Sequence, residues 1–331
     1  MKVLVNDSPS SLDCSYEYSL ASYPTEASIL VGINIFSILL GISGNLLVCM
    51  AVWTTPTMNQ LSFHHFISSL AVADLIDAFI AQPLLVLLIS GRMSSMCLFA
   101  VHYTFRLVAN VALVALQLTL VLIAFDRCLL VSGKFNYRNT MTERKKVALI
   151  IVWFLACVHS AIRDTVFEHI SLVLNAVLVV FYGSYAFIFY KVYKHGKHLL
   201  KCRQEKGRRN TVVIGINVKA QNKLTKEIQV ALTIVMILVC FTISWVPLFY
   251  LNLTQPGRHY GLQYYRMKTC SFFALSFNPL LYCFSNTKYR QAYREFCASF
   301  LGVAWKKTID KPKGTNDSGY AIQGLKLTTT V

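Results

Sequence analysis

The chain has 331 residues, 55% of them hydrophobic and only 14% charged, and its 32 Lys and Arg outnumber 15 Asp and Glu for a formal charge of +17. With a mean hydropathy of +0.50 it cannot cover itself with polar surface, which excludes a soluble enzyme, a disordered chain and a disulfide-stapled secreted domain. A bilayer accommodates both facts, because an apolar run crosses about 30 Å of hydrocarbon in roughly 20 residues and basic residues gather in the loops on one side.

In chain order, Met1–Tyr23 is polar and has no apolar core of signal-peptide length. Asn6 opens an Asn-Asp-Ser glycosylation sequon. Apolar stretches of spanning length follow at Ala27–Val52, Leu61–Ile89, Leu98–Leu122, Lys145–Ile162, Ile170–Tyr190, Ile228–Leu251 and Leu262–Phe284. Their continuous apolarity predicts helices, since a lone segment satisfies its backbone in lipid only as a helix. The expected fold is all-α: a seven-transmembrane-helix bundle over 27–286, an extracellular segment 1–26, an amphipathic membrane-surface helix 287–300 and a flexible tail 301–331. Lys134, Arg138, Arg144, Lys145 and Lys146 follow the third span, a longer run from Lys191 to Lys226 follows the fifth, and Lys288, Arg290 and Arg294 follow the seventh. This distribution places those loops in the cytoplasm and the amino terminus outside a plasma membrane. The basic excess is topology with affinity for inner-leaflet lipid, and no module for nucleic acid is present.

Ionisable or strongly polar residues inside spans are costly and therefore functional by default. Asn45 sits in the first span, Asp74 in the second, and Asn278-Pro279-Leu280-Leu281-Tyr282 interrupts the seventh. Asp126-Arg127-Cys128 ends the third, and Trp245-Val246-Pro247 kinks the sixth, because Pro247 removes a backbone donor. With Trp153 in the fourth, this ordered set resembles the rhodopsin-like, class A family of G-protein-coupled receptors over about Leu40 to Phe300. The resemblance implies an extracellular ligand, a heterotrimeric G protein and arrestin as partners, and no enzymatic activity. It implies that Arg127 is held at rest by Asp126 and Glu227, and that Tyr185 and Tyr282 support it once released. Phe241, Trp245 and Pro247 would form the switch in the sixth helix, and Asn278 and Pro279 that in the seventh. Asn45, Asp74 and Asn278 would form a hydrated mid-membrane network with a possible sodium ion at Asp74. Leu116 and Ala274 stand where the family commonly has polar residues.

Three departures are shared with the melanocortin-receptor branch. The third-helix position of the usual disulfide is His102, the second outer loop shrinks to about six residues once two helices of about 20 are subtracted, and Val177 replaces a fifth-helix Pro. Cys97 pairs with Cys14 or both are free thiols. The family's amine-binding Asp would fall at Ala109, which argues against an amine ligand, and the retinal-bearing Lys of opsins would fall at Phe272. Arg106 and Lys268, each about one turn outward of those positions, either meet an anionic ligand or are satisfied internally: Lys268 by Asp77, Arg106 at the headgroups. The short fourth and fifth spans leave a second function open, a non-signalling receptor-like protein: a decoy, a trafficking partner or an exon-deleted variant. Beyond the spans, Cys297 is placed for palmitoylation on the surface helix, and the final Thr329-Thr330-Val331 resembles a ligand for a PDZ protein.

Overall fold

The computed structural model describes residues 20–96, 98–132, 141–162, 182–187, 190, 194, 233–248, 250–251 and 261–300. Four helices there are long and apolar enough to cross a membrane: α1 (Pro24–Thr54), α2 (Ser62–Met93), α3 (Phe99–Ser132) and α4 (Glu143–Ile162). Residues 182–187 form part of α5 and Thr233–Leu248 part of α6. α7 comprises Leu262–Ser276 and Asn278–Ser285, and α8 is Thr287–Phe300. Most of the expected fifth span, Ile170–Tyr190, lies outside the described residues.

The sequence dictates inward and outward faces in the sense opposite to that of a soluble bundle. On α1 the buried positions Ala27, Leu30, Asn34, Ser37, Gly41, Asn45, Val48 and Val52 recur at intervals of three and four, which is one helix face. Large apolar side chains such as Ile29, Phe36 and Leu39 point out, as do Ile150 and Phe154 on α4, because their solvent is lipid. Without a hydrophobic drive between helices, close packing and polar ties hold the bundle together. Asn34 Nδ2 donates to Thr269 Oγ1 at 2.8 Å, joining α1 to α7, and Gln82 Nε2 donates to Ser37 Oγ at 3.1 Å, joining α2 to α1.

Two helices depart from the lengths and straightness expected of their apolar runs. α3 continues beyond Leu122 to Ser132, so Asp126-Arg127 lies within the helix and not at its end. Hydropathy measures only the part in hydrocarbon, whereas the helix needs no lipid to propagate into the next turns. α2 contains a π turn over Asp77–Ala81, where the Gln82 N–H bonds to the Asp77 carbonyl five residues back. Pro83 follows immediately; lacking an N–H, it favours a widened turn there. The expected interruption of α7 is present at Phe277, just before Asn278-Pro279.

Gly44 permits the closest approach in the bundle's first helix. A Cβ there would meet Pro279 Cγ at 2.7 Å and Cβ at 2.8 Å, and a proline ring cannot swing away. The Gly44 carbonyl accepts from the Tyr293 hydroxyl of α8 at 3.1 Å. Arg290 of α8 donates to the Cys283 and Phe284 carbonyls at 3.0 and 2.9 Å, covering the orphaned end of α7. Burial pushes the Tyr289 and Tyr293 phenols above their ordinary range, so both remain neutral donors. Gly44→Ala should therefore destabilise the purified protein by about 1–3 kcal/mol. Gly32→Ala, whose Cβ meets nothing within 4 Å, should be neutral or stabilising by up to about 1 kcal/mol. Thermal unfolding in detergent of the two variants beside the parent chain measures this contrast.

Candidate functional site

Near the Ser132 end of α3, Asp126 is buried and ion-paired with the adjacent Arg127. Its other oxygen, Oδ1, lies 2.9 Å from Lys145 Nζ at the start of α4. Lys145 also donates to Ser62 Oγ of α2 at 3.1 Å, and Ser62 Oγ lies 3.4 Å from Asp126 Oδ1. The Arg127 guanidinium covers the Phe63 ring at 5.3 Å. One buried carboxylate is thus shared by two cations from different helices, an arrangement that compensates its lost hydration. Sequence reasoning counted Lys145 only as a topological charge. Its position one turn into α4 was the available signal, but which way it faces depends on helix rotation.

The neighbouring tyrosines are both buried. The Tyr185 hydroxyl donates to the Leu120 carbonyl of α3 at 3.1 Å. Tyr282 packs against Tyr289 of α8 with ring centroids 5.8 Å apart, and its hydroxyl has no hydrogen-bond partner among the described residues. Glu227 lies outside the described residues, as do Asn6, Cys14, Cys97 and the carboxyl-terminal Val331. Cys297 is exposed on α8.

Midway along the bundle, Asn278 Nδ2 donates to Asp74 Oδ2 at 2.9 Å, and Asn45 Nδ2 donates to the Gly41 carbonyl at 3.0 Å. Asn45, Asp74 and Asp77 line one small cavity with Gln82, Phe272 and Ser276. Their Oδ1 atoms, with that of Asn278, are buried and lack hydrogen-bond partners among the described residues. Buried oxygens of this kind are normally satisfied by ordered water or a cation. Asp77 lies one helical turn after Asp74 and so shares its inward face.

Toward the opposite end, Trp245 and Phe241 of α6 stack with centroids 6.4 Å apart, and the Ser271 hydroxyl of α7 donates to the Ser244 carbonyl. That carbonyl belongs to the turn that Pro247 disturbs, and Pro247 itself is exposed on the outer face. Ala109 is buried and offers no charge, and Arg106 is partly buried. Lys268 is 6% exposed, with its ammonium 4.5 Å from the Trp245 ring centroid. Asp77 lines a small cavity with Phe272, one of the aromatic rings around that ammonium. This enclosure favours an internally held Lys268 over one facing a ligand.

Sequence reasoning noted Trp153 but not what it holds. Trp153 Nε1 donates to Ser69 Oγ at 3.1 Å, and Ser69 lies 3.3 Å from Thr119 Oγ1, so α4, α2 and α3 meet in one polar chain. Asn110 similarly joins α3 to Ser160 of α4 at 3.3 Å.

A family model described as "7 transmembrane receptor (rhodopsin family)" matches residues 44–168. Over that segment the chain is similar to this receptor family. Similar proteins include dopamine receptor 1 of Drosophila melanogaster, 24% identical over 83% of this chain and 65% of that protein. Melanocortin receptor 4 of Danio rerio is 24% identical over 78% and 81%, and cannabinoid receptor 1 of Taricha granulosa is 24% identical over 78% and 60%. The chain therefore spans less than two thirds of the length of two of these three relatives. The structure of squid rhodopsin superimposes with a TM-score of 0.68 at 16% identity, covering 87% of this chain and 94% of that one. The fold is the seven-helix rhodopsin bundle, that of a multi-pass membrane protein.

Within the matched segment, Trp153→Phe should cost about 1–3 kcal/mol of stability, since it removes one part-buried hydrogen bond and one of the indole's two fused rings. Ser69→Ala should cost about 1 kcal/mol, and the double variant should fall short of the sum of the two. A double-mutant cycle read by thermal unfolding checks this; strict additivity would separate the two side chains.

Proposed function

We propose that the chain is a plasma-membrane G-protein-coupled receptor whose amino terminus is extracellular and whose Asp126 end faces the cytoplasm. The observation that carries this reading is the Asp126–Arg127 ion pair buried near the end of α3, with Tyr185 and Tyr282 buried on the flanking helices. A pairing between helices is a two-state element, because moving a helix exchanges one set of partners for another: Lys145 of α4 on Asp126 is one such pairing, and Glu227 of the sixth span is the partner we assign to Arg127 at rest. An extracellular ligand biases that equilibrium, and a heterotrimeric G protein followed by arrestin reads it from inside. The names of the relatives indicate dopamine, melanocortin and cannabinoid ligands for those proteins; Ala109 argues against an amine here, and Arg106 is a candidate cation for an anionic ligand. The unsatisfied oxygens of Asn45, Asp74 and Asn278 are hard donors that suit water or a sodium ion, although Leu116 withholds a hydroxyl from that site. Sodium there would supply a positive charge opposite Asp74. Glycosylation at Asn6, palmitoylation at Cys297 and a PDZ partner at Val331 complete the reading, and inner-leaflet lipid contacts the basic residues of α8.

The test is constitutive nucleotide exchange on G proteins in membranes expressing the chain, with surface expression matched between variants. Arg127→Ala should abolish exchange. Glu227→Ala should raise it several-fold, because couplings of this type are worth about 1–3 kcal/mol. Lys145→Met should lower it several-fold, since Asp126 loses its second cation and holds Arg127 more tightly. Normal surface delivery without exchange on any G-protein class would instead support the non-signalling alternative.

A further inference from the structure

Lys268 occupies a built chamber. Its ammonium lies 4.5 Å from the Trp245 ring centroid on α6, 5.1 Å from Phe272 on α7 and 5.7 Å from Phe105 on α3. All three distances are within the range at which a cation is attracted to an aromatic face. Phe105 and Phe272 meet edge to face at 6.4 Å, which closes the wall between α3 and α7. The nearby carboxylate is Asp77 of α2, 5% exposed and lining a small cavity together with Phe272. Four helices thus contribute to one desolvated site, and none of the five side chains is more than 8% exposed.

Three aromatic faces with one carboxylate are the chemistry by which proteins recognise an ammonium ion from outside. A lysine stem is four methylenes ending in such an ion, and here it enters the chamber from the chamber's own wall. We propose that this chamber is an ammonium-binding site filled by the chain's own Lys268, and that removing the side chain opens it to small primary alkylammonium ions. The occupant is covalently tethered, so its effective concentration is high and no free amine competes with it. Asp77 takes the counter-ion role that Ala109 cannot, from α2 in place of α3. Because Trp245 forms one wall, the filled chamber also fixes that indole's position and, through the 6.4 Å contact, that of Phe241.

The binding arm of the test requires no G protein, so it stands apart from the signalling reading. Lys268→Ala, purified in detergent, is heated with n-propylammonium, propan-1-ol or propionate. A ligand that binds the folded state raises the melting temperature in a saturable way. Propylammonium should produce this shift in Lys268→Ala, leave the parent chain unchanged, and lose its effect when Asp77→Asn is added. An equal shift by propan-1-ol would show that only volume was filled, and an equal shift in the parent chain would place the amine elsewhere; either overturns the proposal, as does no shift. The parent chain supplies a readout independent of that variant's folding. On reductive methylation with formaldehyde and dimethylamine borane, Lys268 should react at least about tenfold more slowly than Lys146, whose side chain is 54% exposed, because reaction requires local opening. Comparable rates would show the ammonium to be accessible and would refute the self-filled chamber.

Discussion

The hydrogen bond from Asn278 to Asp74 fixes α7 against α2 in a layer where neither group has bulk water to fall back on. Its geometry is available because α7 is interrupted at Phe277, which lets the Asn278 segment start afresh with Pro279 at its first turn. Pro279 in turn sits against Gly44, and the approach is close enough that only a hydrogen atom fits there. From that point the positions of Tyr282 below and Lys268 above follow from the rise of the helix. The hydroxyl of Tyr293 on Gly44 and the guanidinium of Arg290 on the end of α7 then attach α8 to the same corner. A small residue, a broken helix and one amide thus determine where both ends of α7 place their functional side chains.

Charge in the bundle is arranged at three levels, each with a different solution to the cost of burial. Asp126 has two cations and a hydroxyl, so either cation can move while the carboxylate keeps a partner. Asp74 has one amide and an unsatisfied oxygen facing a cavity, which leaves room for water or a small ion. Asp77 shares a cavity with Phe272, one of the aromatic rings that surround the Lys268 ammonium. Replacing such groups by apolar ones would often stabilise the fold, so their retention is better understood as the means of holding alternative arrangements than as a source of stability.

Much of this was legible in the sequence for one reason: a polar residue in an apolar run is expensive, so Asn45, Asp74, Asp126, Arg127 and Asn278 declared themselves. The interruption of α7 was legible because Pro279 has no amide hydrogen to give. Which residues meet across helices was not legible, because that depends on helix rotation about axes that hydropathy does not determine. Lys145 is the clearest case: its charge pointed to topology, while its orientation makes it the second partner of Asp126. The π turn at Asp77–Ala81 was hidden for a related reason, since Pro83 announces a distortion but not its form. The extent of α3 was underestimated because apolar length reports the membrane's thickness and not the helix's.

Lys268 and Arg127 stand at opposite ends of the bundle, and a physical connection between them has to pass through parts with two arrangements. Trp245 and Phe241 supply the first such part, since both rings lie on α6 and pack inward between the Lys268 ammonium and the middle of the bundle. The Ser244 carbonyl, held by Ser271 of α7, supplies a pivot in the turn that Pro247 weakens. A helix whose ladder is already interrupted bends there at lower cost than elsewhere, so a shift of the indole is translated into displacement of the remote end of α6 instead of being absorbed locally. Tyr185, bonded to the Leu120 carbonyl of α3, sits one helix over and loses or keeps that bond according to how far α5 and α6 move together. Because Lys268 is tethered, the chain sets the resting position of this sequence of contacts without an outside ligand. A ligand can alter it only by interacting differently with the two positions of Trp245, however tightly it binds.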